Sequence, residues 1–339
     1  MKSLIRSVFA ASAIMAVGLG ATPSKAEEAN YILATASTGG TYYPVGVAIS
    51  TLVKVKLQPT KNVGMSAISS AGSGENIRLM RENEAQFSIL QGLYGYFAAS
   101  GTGPLEADGP QKDLRSVSML WQNVEHFIVA ADAAQTGTMA DFVALKGEGA
   151  ALGAKNSGTI GSNEALLSGL GIDINTDYEL MYGGYGPSAE ALQNGQIKGI
   201  SAPAGVPVGA VAQLMASADG QVKILNFTDE ELQKADGGRN LWTPYEIPAG
   251  TYPGQTEAVN TIAQPNFLAV RSDVSDENVY EITKAIYENL AFLQAIHPAT
   301  KVMTIEKAIA GLPLPLHPGA AKYYKEVGIE IPDRLMPAN

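Results

Sequence analysis

The chain has 339 residues, of which 46% are hydrophobic and 36 are glycine, and its formal net charge is −10. This length is more than one minimal core needs and suits two domains. The sequence contains no cysteine, which excludes disulfides, thiol catalysis and a cysteine-borne lipid anchor. Its acidic balance argues against nucleic acid or anionic lipid as a partner, although a local anion site is compatible with it.

The first 26 residues match the pattern of a cleaved signal peptide. Lys2 and Arg6 form a positively charged start, residues 8–19 are an apolar run, and Ser24–Ala26 has the small-x-small spacing of a cleavage site. The alternative is a membrane anchor, but a span takes about 20 apolar residues. We therefore predict cleavage before Glu27 and a freely diffusing periplasmic protein. Cleavage removes three basic residues and no acidic one, so the formal net charge changes from −10 for the full chain to −13 for the mature protein.

A short apolar strand, a loop rich in Gly, Ser and Thr, and a helix recur along the chain. The N-terminal part predicts three such units, each a strand, a loop and a helix in that order: 31–36, 37–43 and a helix from Pro44; 65–69, 70–74 and 75–82; 87–90, 91–92 and a helix near Tyr94. Proline suits the first turn of a helix. Ser73 is predicted to cap the second helix, with Glu75 in its first turn.

After a long predicted strand over residues 114–130, the same pattern resumes. The later elements are 149–153, 154–159 and 160–168; a loop at 183–187 with a helix from Ser188; 197–202, 203–207 and 208–216; and a long amphipathic helix over 276–293. Strands that alternate with helices predict an α/β fold with mostly parallel sheets.

The long strand interrupts the strand-loop-helix pattern, which predicts two α/β lobes. We predict that the chain crosses between the lobes near residues 123–129 and returns near 264–270. Lobe 1 is then residues 27–124 with 267–339, and lobe 2 is residues 125–266. Two crossings make a hinge, and the loops that follow the strands of both lobes meet at a shared cleft, where open α/β sheets bind ligands.

Three loops pair glycine with hydroxyl groups at a predicted helix start: residues 38–43, 71–76 and 156–159. The first N–H groups of a helix lack partners and carry partial positive charge, and glycine lets the backbone approach a ligand closely. The loops therefore predict a polar cleft for an anion; the alternative is that each is an ordinary helix cap. Four tyrosines are candidate cleft walls, with core packing as the alternative for each: Tyr42, Tyr43, Tyr94 and Tyr182.

The sequence has no recognisable signal for catalysis or metal binding. The three histidines, His126, His297 and His317, lack the spacing of metal ligands. No nucleotide-binding, nucleophile-elbow or zinc-protease motif occurs. We predict a binding protein with no catalytic residue, metal or cofactor. Two other classes stay open: a module that signals ligand binding to a membrane kinase, and a periplasmic enzyme.

Five motifs in this order resemble the TAXI family, the solute receptors of one class of tripartite ATP-independent periplasmic (TRAP) transporters. The motifs are Thr38–Gly46, Gly74–Leu79, Asn156–Thr159, Ile247–Gln255 and Leu312–Tyr324, within a resemblance that runs from about Tyr31 to Gly328. The resemblance implies a type II periplasmic-binding fold whose two lobes close on the ligand. It also implies delivery to an integral TRAP permease, with fused small and large subunits, that an ion gradient drives.

The family's ligands are small organic anions and amino acids. The resemblance therefore implies an anionic metabolite, with dicarboxylates such as glutamate or 2-oxoglutarate favoured. It implies ligand contacts at the positions that match the family's ligand-facing motifs: Thr38, Gly40, Thr41, Tyr42, Ser70, Glu75, Asn76, Ser157, Gly158 and Thr159, with Gln91 and Gly205 as weaker carry-overs.

The chain departs from the family pattern at three places. Ser70–Gly74 differs from the usual Thr-Gly-Gly-Ser run, so the resemblance supports ligand contacts from this loop less strongly. Gln91–Tyr94 lacks the usual acid, which predicts a shifted choice of ligand. Lys198 stands where the family has Asp, and this change has no functional interpretation. We expect a monomer, since the sequence shows no long apolar stripe for an interface.

Overall fold

The computed structural model of the protein describes residues 28–337. The predicted signal segment, residues 1–26, lies outside the described residues. Within residues 28–337, no helix combines the length and the apolar character that a membrane span requires.

Strands and helices alternate along most of the described chain. The strands are β1 Ala29–Ala34, β2 Val63–Ile68, β3 Phe87–Gln91, β4 Leu114–Val124, β5 Phe127–Ala130, β6 Gly149–Ala151, β7 Glu179–Leu180, β8 Gly199–Ser201, β9 Val222–Ile224, β10 Thr243–Ile247 and β11 Val259–Arg271. The α-helices are α1 Tyr42–Lys61, α2 Ser73–Arg81, α3 Gly92–Ser100, α4 Met139–Val143, α5 Gly158–Gly169, α6 Ile174–Asp177, α7 Tyr185–Gln193, α8 Gly209–Ser217, α9 Asp229–Asp236, α10 Asp276–Glu288, α11 Leu290–Ile296 and α12 Pro318–Glu326.

The strands form two sheets. The first has the order β10-β11-β3-β1-β2, with β4 also paired to β11. In it β1 is parallel to β2 and β3, whereas β11 is antiparallel to β3, β4 and β10. The second has the order β7-β6-β8-β5-β9, with β6 parallel to its neighbours and β5 antiparallel to its own. The predicted α/β class with two lobes is confirmed. The prediction of mostly parallel sheets is wrong, because four of the strand pairs in the described residues are parallel and five are antiparallel.

The hydrophobic core is divided between the two sheets. One cluster packs the first sheet against α1, α10 and α12, and includes Leu33 and Phe267. Two clusters cover the second sheet: Ile128 of β5 lies in one, and its neighbours Phe127 and Val129 lie in the other. Because successive side chains of a strand point to opposite faces, β5 is buried on both faces, as a central strand covered by helices must be.

Two long strands carry the chain between the lobes. β4 and β11 are antiparallel, with pairs that run from Leu114 and Arg271 to Val124 and Ala263. Ala263 packs in a cluster of the second sheet, whereas Phe267 packs in that of the first. β11 therefore belongs to both lobes. The exact residues at which one lobe ends and the other begins stay a prediction.

The predicted strand over residues 114–130 is two strands, because the chain turns at Glu125 and His126 to enter the second sheet. The His126 imidazole Nδ1 bonds back to the Val124 carbonyl at 2.9 Å, which stabilises this turn. The sequence pattern does not reveal the turn, because both halves are extended and no glycine or proline separates them.

The predicted helix over residues 276–293 is also divided. Asn289 takes φ −130° and ψ 31° and separates α10 from α11, since these angles lie outside helical values. Its side-chain amide donates to the Ala285 carbonyl at 2.8 Å, which satisfies a carbonyl at the end of α10.

Ser73 is the first residue of α2 rather than its predicted N-cap. Gly72 holds the N-cap position with φ 119°, a conformation that favours glycine. The Ser73 hydroxyl instead accepts the backbone N–H of Gln91 at 3.1 Å. This bond joins the start of α2 to the end of β3.

Candidate functional site

A cavity of about 170 Å³ lies between the two lobes, at loops that follow strands of both sheets. The first lobe contributes Ala36, Ser37, Gly40–Tyr42, Ser70–Ser73 and Gln91; strand β4 contributes Asn123; and the second lobe contributes Ala154, Ser157–Thr159, Gly183–Tyr185, Pro203 and Ala204. None of the described residues that line it is Lys, Arg, His, Asp or Glu. Its volume is below the roughly 300–1,000 Å³ of sites for drug-sized ligands, so it suits a metabolite of few heavy atoms.

The cavity brings together most of the predicted ligand residues. Those that line it are Gly40, Thr41, Tyr42, Ser70, Gln91, Ser157, Gly158 and Thr159. The others, Thr38, Glu75, Asn76 and Gly205, do not line it. Ligand contact by the first group stays a prediction, and the second group has other contacts.

Asn76 and Glu75 stabilise the loop behind the cavity instead of facing it. The fully buried side-chain nitrogen of Asn76 donates to the carbonyls of Thr35 at 2.8 Å and Ile89 at 3.0 Å. Its oxygen accepts the Ser70 hydroxyl at 2.6 Å, and Glu75 accepts a backbone N–H of the same loop at 2.6 Å. These bonds join the loop to the ends of β1 and β3, so the two side chains shape the wall.

Thr38 and Gly205 lie beside the cavity. Thr38 lines a separate surface groove next to Gly186. The Gly205 carbonyl accepts the Thr41 hydroxyl at 2.8 Å. A Cβ at Gly205 would lie 2.6 Å from the Trp121 indole, so glycine allows this close packing. Gly205 therefore contributes to the contact between the lobes.

Four helices begin at the cavity wall: α1, α2, α5 and α7. Ser157 caps α5 by accepting the Ile160 N–H at 3.0 Å, which leaves the N–H groups of Gly158 and Thr159 without a partner inside the helix. Each helix start is equivalent to roughly half a positive charge. The four starts together supply roughly two positive charges without a cationic side chain, which complements a dianion.

Two buried tyrosine hydroxyls form polar walls. Tyr42 donates to Asn266 Oδ1 at 2.5 Å. Tyr185 donates to the Pro203 carbonyl at 2.7 Å, and its hydroxyl lies 2.8 Å from that of Thr159. Burial raises the pKa of both phenols, so they stay neutral hydrogen-bonding groups.

The other candidate wall tyrosines lie elsewhere. Tyr94 is buried and donates to the Ser157 carbonyl at 3.1 Å, behind the cavity wall. Tyr43 is half-buried and Tyr182 is exposed, and neither lines the cavity. Of the four tyrosines predicted as walls, Tyr42 is the one that the structure places there.

The predicted ligand residues omit four polar residues that line the cavity: Ser37, Ser73, Asn123 and Tyr185. Tyr185 stands in a segment predicted as a loop before a helix at Ser188, whereas α7 begins at Tyr185 itself. Asn123 lies near the end of β4, which also contains Arg115, Ser116, Ser118 and Gln122, so its polarity alone does not identify it.

Two buried polar atoms at the cavity have no protein partner among residues 28–337: Gln91 Oε1 and Asn123 Nδ2. The two side chains belong to residues that are only 3% and 1% exposed. A buried polar group without a partner is unfavourable, and nearly all such groups in folded proteins are paired. Unpaired atoms at a cavity are the pattern expected where a polar ligand binds.

The lobes touch directly around the cavity. Besides the bond from Thr41, the Glu75 N–H donates to the Asn156 carbonyl at 2.9 Å across the lobe interface. Glycine permits this approach: a Cβ at Gly158 would lie 2.7 Å from Gln91 Oε1. The structure therefore shows the lobes closed on each other, with the cavity between them.

The motif Ile247–Gln255 supports the turn between the lobes instead of lining the cavity. The Tyr252 hydroxyl lies 2.7 Å from His126 Nε2 and accepts the Val208 N–H at 2.9 Å. Because His126 Nδ1 donates to the Val124 carbonyl, Nε2 accepts the Tyr252 hydroxyl. Burial lowers the pKa of His126 to about 4, so the ring is neutral.

Glu125, at the same turn, is a buried ionisable group. Its Oε1 accepts the indole N–H of Trp242 at 3.1 Å. Its Oε2 has no partner among the described residues. Burial raises the pKa of Glu125 to about 7, because the apolar surroundings disfavour the charged form.

Other residues that the sequence singled out also lie away from the cavity. In His297 and His317, the ring Nδ1 accepts the backbone N–H two residues further along, at 3.1 and 3.2 Å. Lys198 forms an exposed ion pair with Asp132 at 3.0 Å. Within residues 28–337, no three His, Asp or Glu side chains lie together as metal ligands.

The chain belongs to the NMT1-like family, whose profile matches residues 33–328. Its fold is similar to that of MatC from Rhodopseudomonas palustris with bound malate, with 14% identity and a TM-score of 0.55 over 88% of this chain and 98% of that one. It is also similar to a binding protein component of an ABC phosphonate transporter from Pseudomonas aeruginosa, with 9% identity and a TM-score of 0.51 over 80% of this chain and 78% of that one.

The aliphatic sulphonate binding protein SsuA from Escherichia coli aligns at 16% identity and a TM-score of 0.46, over 88% of this chain and 84% of that one. For MatC and the phosphonate transporter component, the likeness at these identities concerns the fold, which is the two-lobe fold of periplasmic binding proteins. The family match does not single out the TAXI receptors, so that finer assignment stays a prediction.

Proposed function

We propose that this NMT1-like protein is a periplasmic solute-binding receptor, which encloses a small organic anion between its lobes and delivers it to a membrane transporter. The observation that carries the proposal is the cavity. It combines four helix starts and two unpartnered polar atoms with no charged side chain among its described lining residues. An enclosed polar site without a reactive group suits capture and release of a ligand.

An anion suits this cavity although the chain as a whole is acidic. The partial positive charge at helix starts favours a carboxylate, sulfonate or phosphonate at short range. Surface charges act through solvent and are screened within about 10 Å at 0.1 M salt. A dicarboxylate is the favoured class, because two anionic groups match four helix starts. The Ser157 hydroxyl accepts the Ile160 N–H and keeps its own proton to donate, so this hydroxyl and the N–H groups of Gly158 and Thr159 replace the hydration shell of the ligand.

The lobes open to admit the ligand and close on it, with β4 and β11 as the hinge. A ligand that bonds to both lobes favours the closed form by its differential affinity for that form. Small-angle X-ray scattering should give a smaller radius of gyration with saturating ligand than without it. Equal radii in the two states would contradict closure.

The partner is an integral membrane transporter of one of two kinds. The resemblance to TAXI receptors favours an ion-driven TRAP permease, whereas the phosphonate-transporter component among the similar folds favours an ABC transporter. Ligand uptake by cells that express the protein with each permease separates the two. Dissipation of the ion gradient should stop TRAP uptake, and depletion of ATP with the gradient maintained should stop ABC uptake. Binding without uptake by either would favour the sensing module.

Export through a cleaved signal peptide is part of this proposal. N-terminal sequencing of the protein recovered from the periplasm should begin at Glu27. Retention of residues 1–26 in a membrane fraction would favour the anchor alternative.

A thermal-shift screen tests the proposal as a whole. A ligand that binds only the folded state stabilises it by about 2.7 kcal/mol at a concentration of 100 Kd. We expect carboxylates, sulfonates or phosphonates to raise the Tm, and neutral sugars to leave it unchanged. If no anion raises the Tm, and mass spectrometry finds no small molecule released from the denatured protein, solute binding is wrong.

A further inference from the structure

A directed chain of hydrogen bonds ends at the cavity. The Tyr42 hydroxyl donates to Asn266 Oδ1, and Asn266 Nδ2 donates to Asn123 Oδ1 at 3.4 Å. Because Asn123 Oδ1 is the acceptor of this chain, Nδ2 is the amide atom that remains for an occupant of the cavity.

Asn123 Nδ2 and Gln91 Oε1 thus present one donor and one acceptor to the occupant. Both residues are more than nine-tenths buried, at 1% and 3% exposure, so bulk water does not satisfy them. A hydroxyl is the smallest group that suits both, because it accepts from the amide nitrogen and donates to the amide oxygen.

Other substituents suit the two atoms less well. A keto oxygen accepts from Asn123 but leaves Gln91 Oε1 unpaired, and an unsubstituted methylene leaves both atoms unpaired. An ammonium group would have no acidic partner among the described lining residues. The four helix starts that attract a carboxylate also repel a cation, and a buried ammonium without a paired carboxylate is strongly unfavourable.

We propose that the ligand is a small hydroxydicarboxylate, with its carboxylates at the helix starts and its hydroxyl bonded to Asn123 and Gln91. This inference rests on the proposed function and narrows its ligand class. The protein selects the hydroxy acid over the unsubstituted, oxo and amino acids of the same carbon skeleton. Glutamate and 2-oxoglutarate, which the family resemblance favours, are then weak ligands.

Isothermal titration of the full mature protein with two matched series tests this selection. The four-carbon series is malate, succinate, oxaloacetate and aspartate; the five-carbon series is 2-hydroxyglutarate, glutarate, 2-oxoglutarate and glutamate. In the series that fits the cavity, we expect the hydroxy acid to bind about 10-fold or more tightly than each relative, the factor for one unpaired buried partner.

Two variants assign the preference to the two side chains. Asn123→Leu keeps the side-chain size and removes the donor, and Gln91→Met keeps the length and removes the acceptor. Each should reduce the preference for the hydroxy acid over the unsubstituted acid to about threefold or less. Gln122→Met is the matched control, because Gln122 is the neighbour of Asn123 on β4 and does not line the cavity; its preference should equal that of the wild type.

The outcomes separate this inference from the proposed function. A hydroxy-acid preference in the wild type, lost in the cavity variants and kept in the control, supports it, and the wild-type series suffices if a variant does not fold. Equal or tighter binding of an unsubstituted, oxo or amino relative overturns the hydroxyl inference and leaves anion binding intact. If neither series binds, the inference is also overturned. The proposed function then depends on whether a sulfonate or phosphonate raises the Tm.

Discussion

Gly74 offers a way to hold the lobes apart without damaging either of them. It is the second residue of α2, where alanine stabilises a helix over glycine by up to about 1 kcal/mol. A Cβ at Gly74 would lie 2.5 Å from the carbonyl oxygen of Asn156 in the other lobe, whereas an ordinary contact is 3.4 Å or more; the nearest atom of its own lobe, Tyr94 Cε1, would lie at 3.3 Å and needs to move by only about 0.1 Å. Gly74→Ala therefore requires the lobes to separate by about 0.9 Å at this contact (3.4 − 2.5).

The added methyl group destabilises the closed form. Separation stretches the bond from the Glu75 N–H to Asn156, which is 2.9 Å long in the closed form and whose loss amounts to about 1 kcal/mol. Residual overpacking adds about 1–3 kcal/mol. The sum of about 2–4 kcal/mol weakens ligand binding by roughly 30- to 700-fold, because the ligand bonds to both lobes only when they are closed.

Calorimetric titration and thermal unfolding of the free protein together test this reasoning. We expect Gly74→Ala to lose affinity while its Tm stays the same or rises slightly. Gly186→Ala is the matched control: it is the second residue of α7, and no atom lies within 4 Å of its added Cβ. Wild-type affinity in Gly74→Ala would refute the argument, as would a lower Tm, which would mean that the glycine serves the fold.

Three further changes test other parts of the structure. Thr41→Val removes the hydroxyl that reaches the Gly205 carbonyl, so calorimetric affinity should fall by about 1–3 kcal/mol at unchanged Tm; unaltered affinity would exclude a role in closure. Tyr252→Phe leaves His126 Nε2 and a backbone N–H unpaired, so the free energy of unfolding in urea should fall by about 1–3 kcal/mol per partner, and no loss would contradict the assigned bonds. Burial raises the pKa of Glu125 to about 7, so its proton stabilises the fold at low pH and this contribution is lost as the pH rises to 7. The free energy of unfolding of Glu125→Gln, measured in urea, should therefore rise relative to that of the wild type by about 3 kcal/mol as the pH increases from 4.5 to 8. His126, whose pKa is lowered to about 4, makes the free energy of unfolding rise with pH, but it does so in both proteins and cancels from their difference. A difference between the two proteins that does not change with pH would contradict a buried carboxyl with a raised pKa.

The fold could be predicted where its signals are local. An apolar run, a glycine loop and a helical period identify β1 with α1 and β2 with α2 from residues that are adjacent in the chain. The turn at Glu125 and His126 could not be predicted this way, because no glycine or proline marks it and the two halves differ in the sheet that each joins. The break at Asn289 is similar: helix-forming residues flank it, and packing of α11 decides where the helix ends.

Prediction of the candidate site from the sequence is limited in the same way, because local patterns do not show which residues the fold brings together. Ser157 and Gly158 lie at a helix start, as their local pattern predicts, and the structure places them at the cavity. Asn76 has an equivalent local pattern, yet carbonyls from two strands satisfy its amide and bury it behind the wall. Asn123 is the reverse case: its local pattern is that of a strand, and the crossing of the chain between the lobes brings it to the cavity.

The division of the helix starts between the lobes bears on how a ligand is released. The first lobe supplies α1 and α2 and the second supplies α5 and α7, so a dianion meets roughly two positive charges in the closed form and roughly one on either lobe alone. A cationic side chain would keep its full charge on one lobe and retain the ligand after opening. Because the described lining residues are neutral, tight binding depends on closure, and opening of the lobes at the transporter suffices for release.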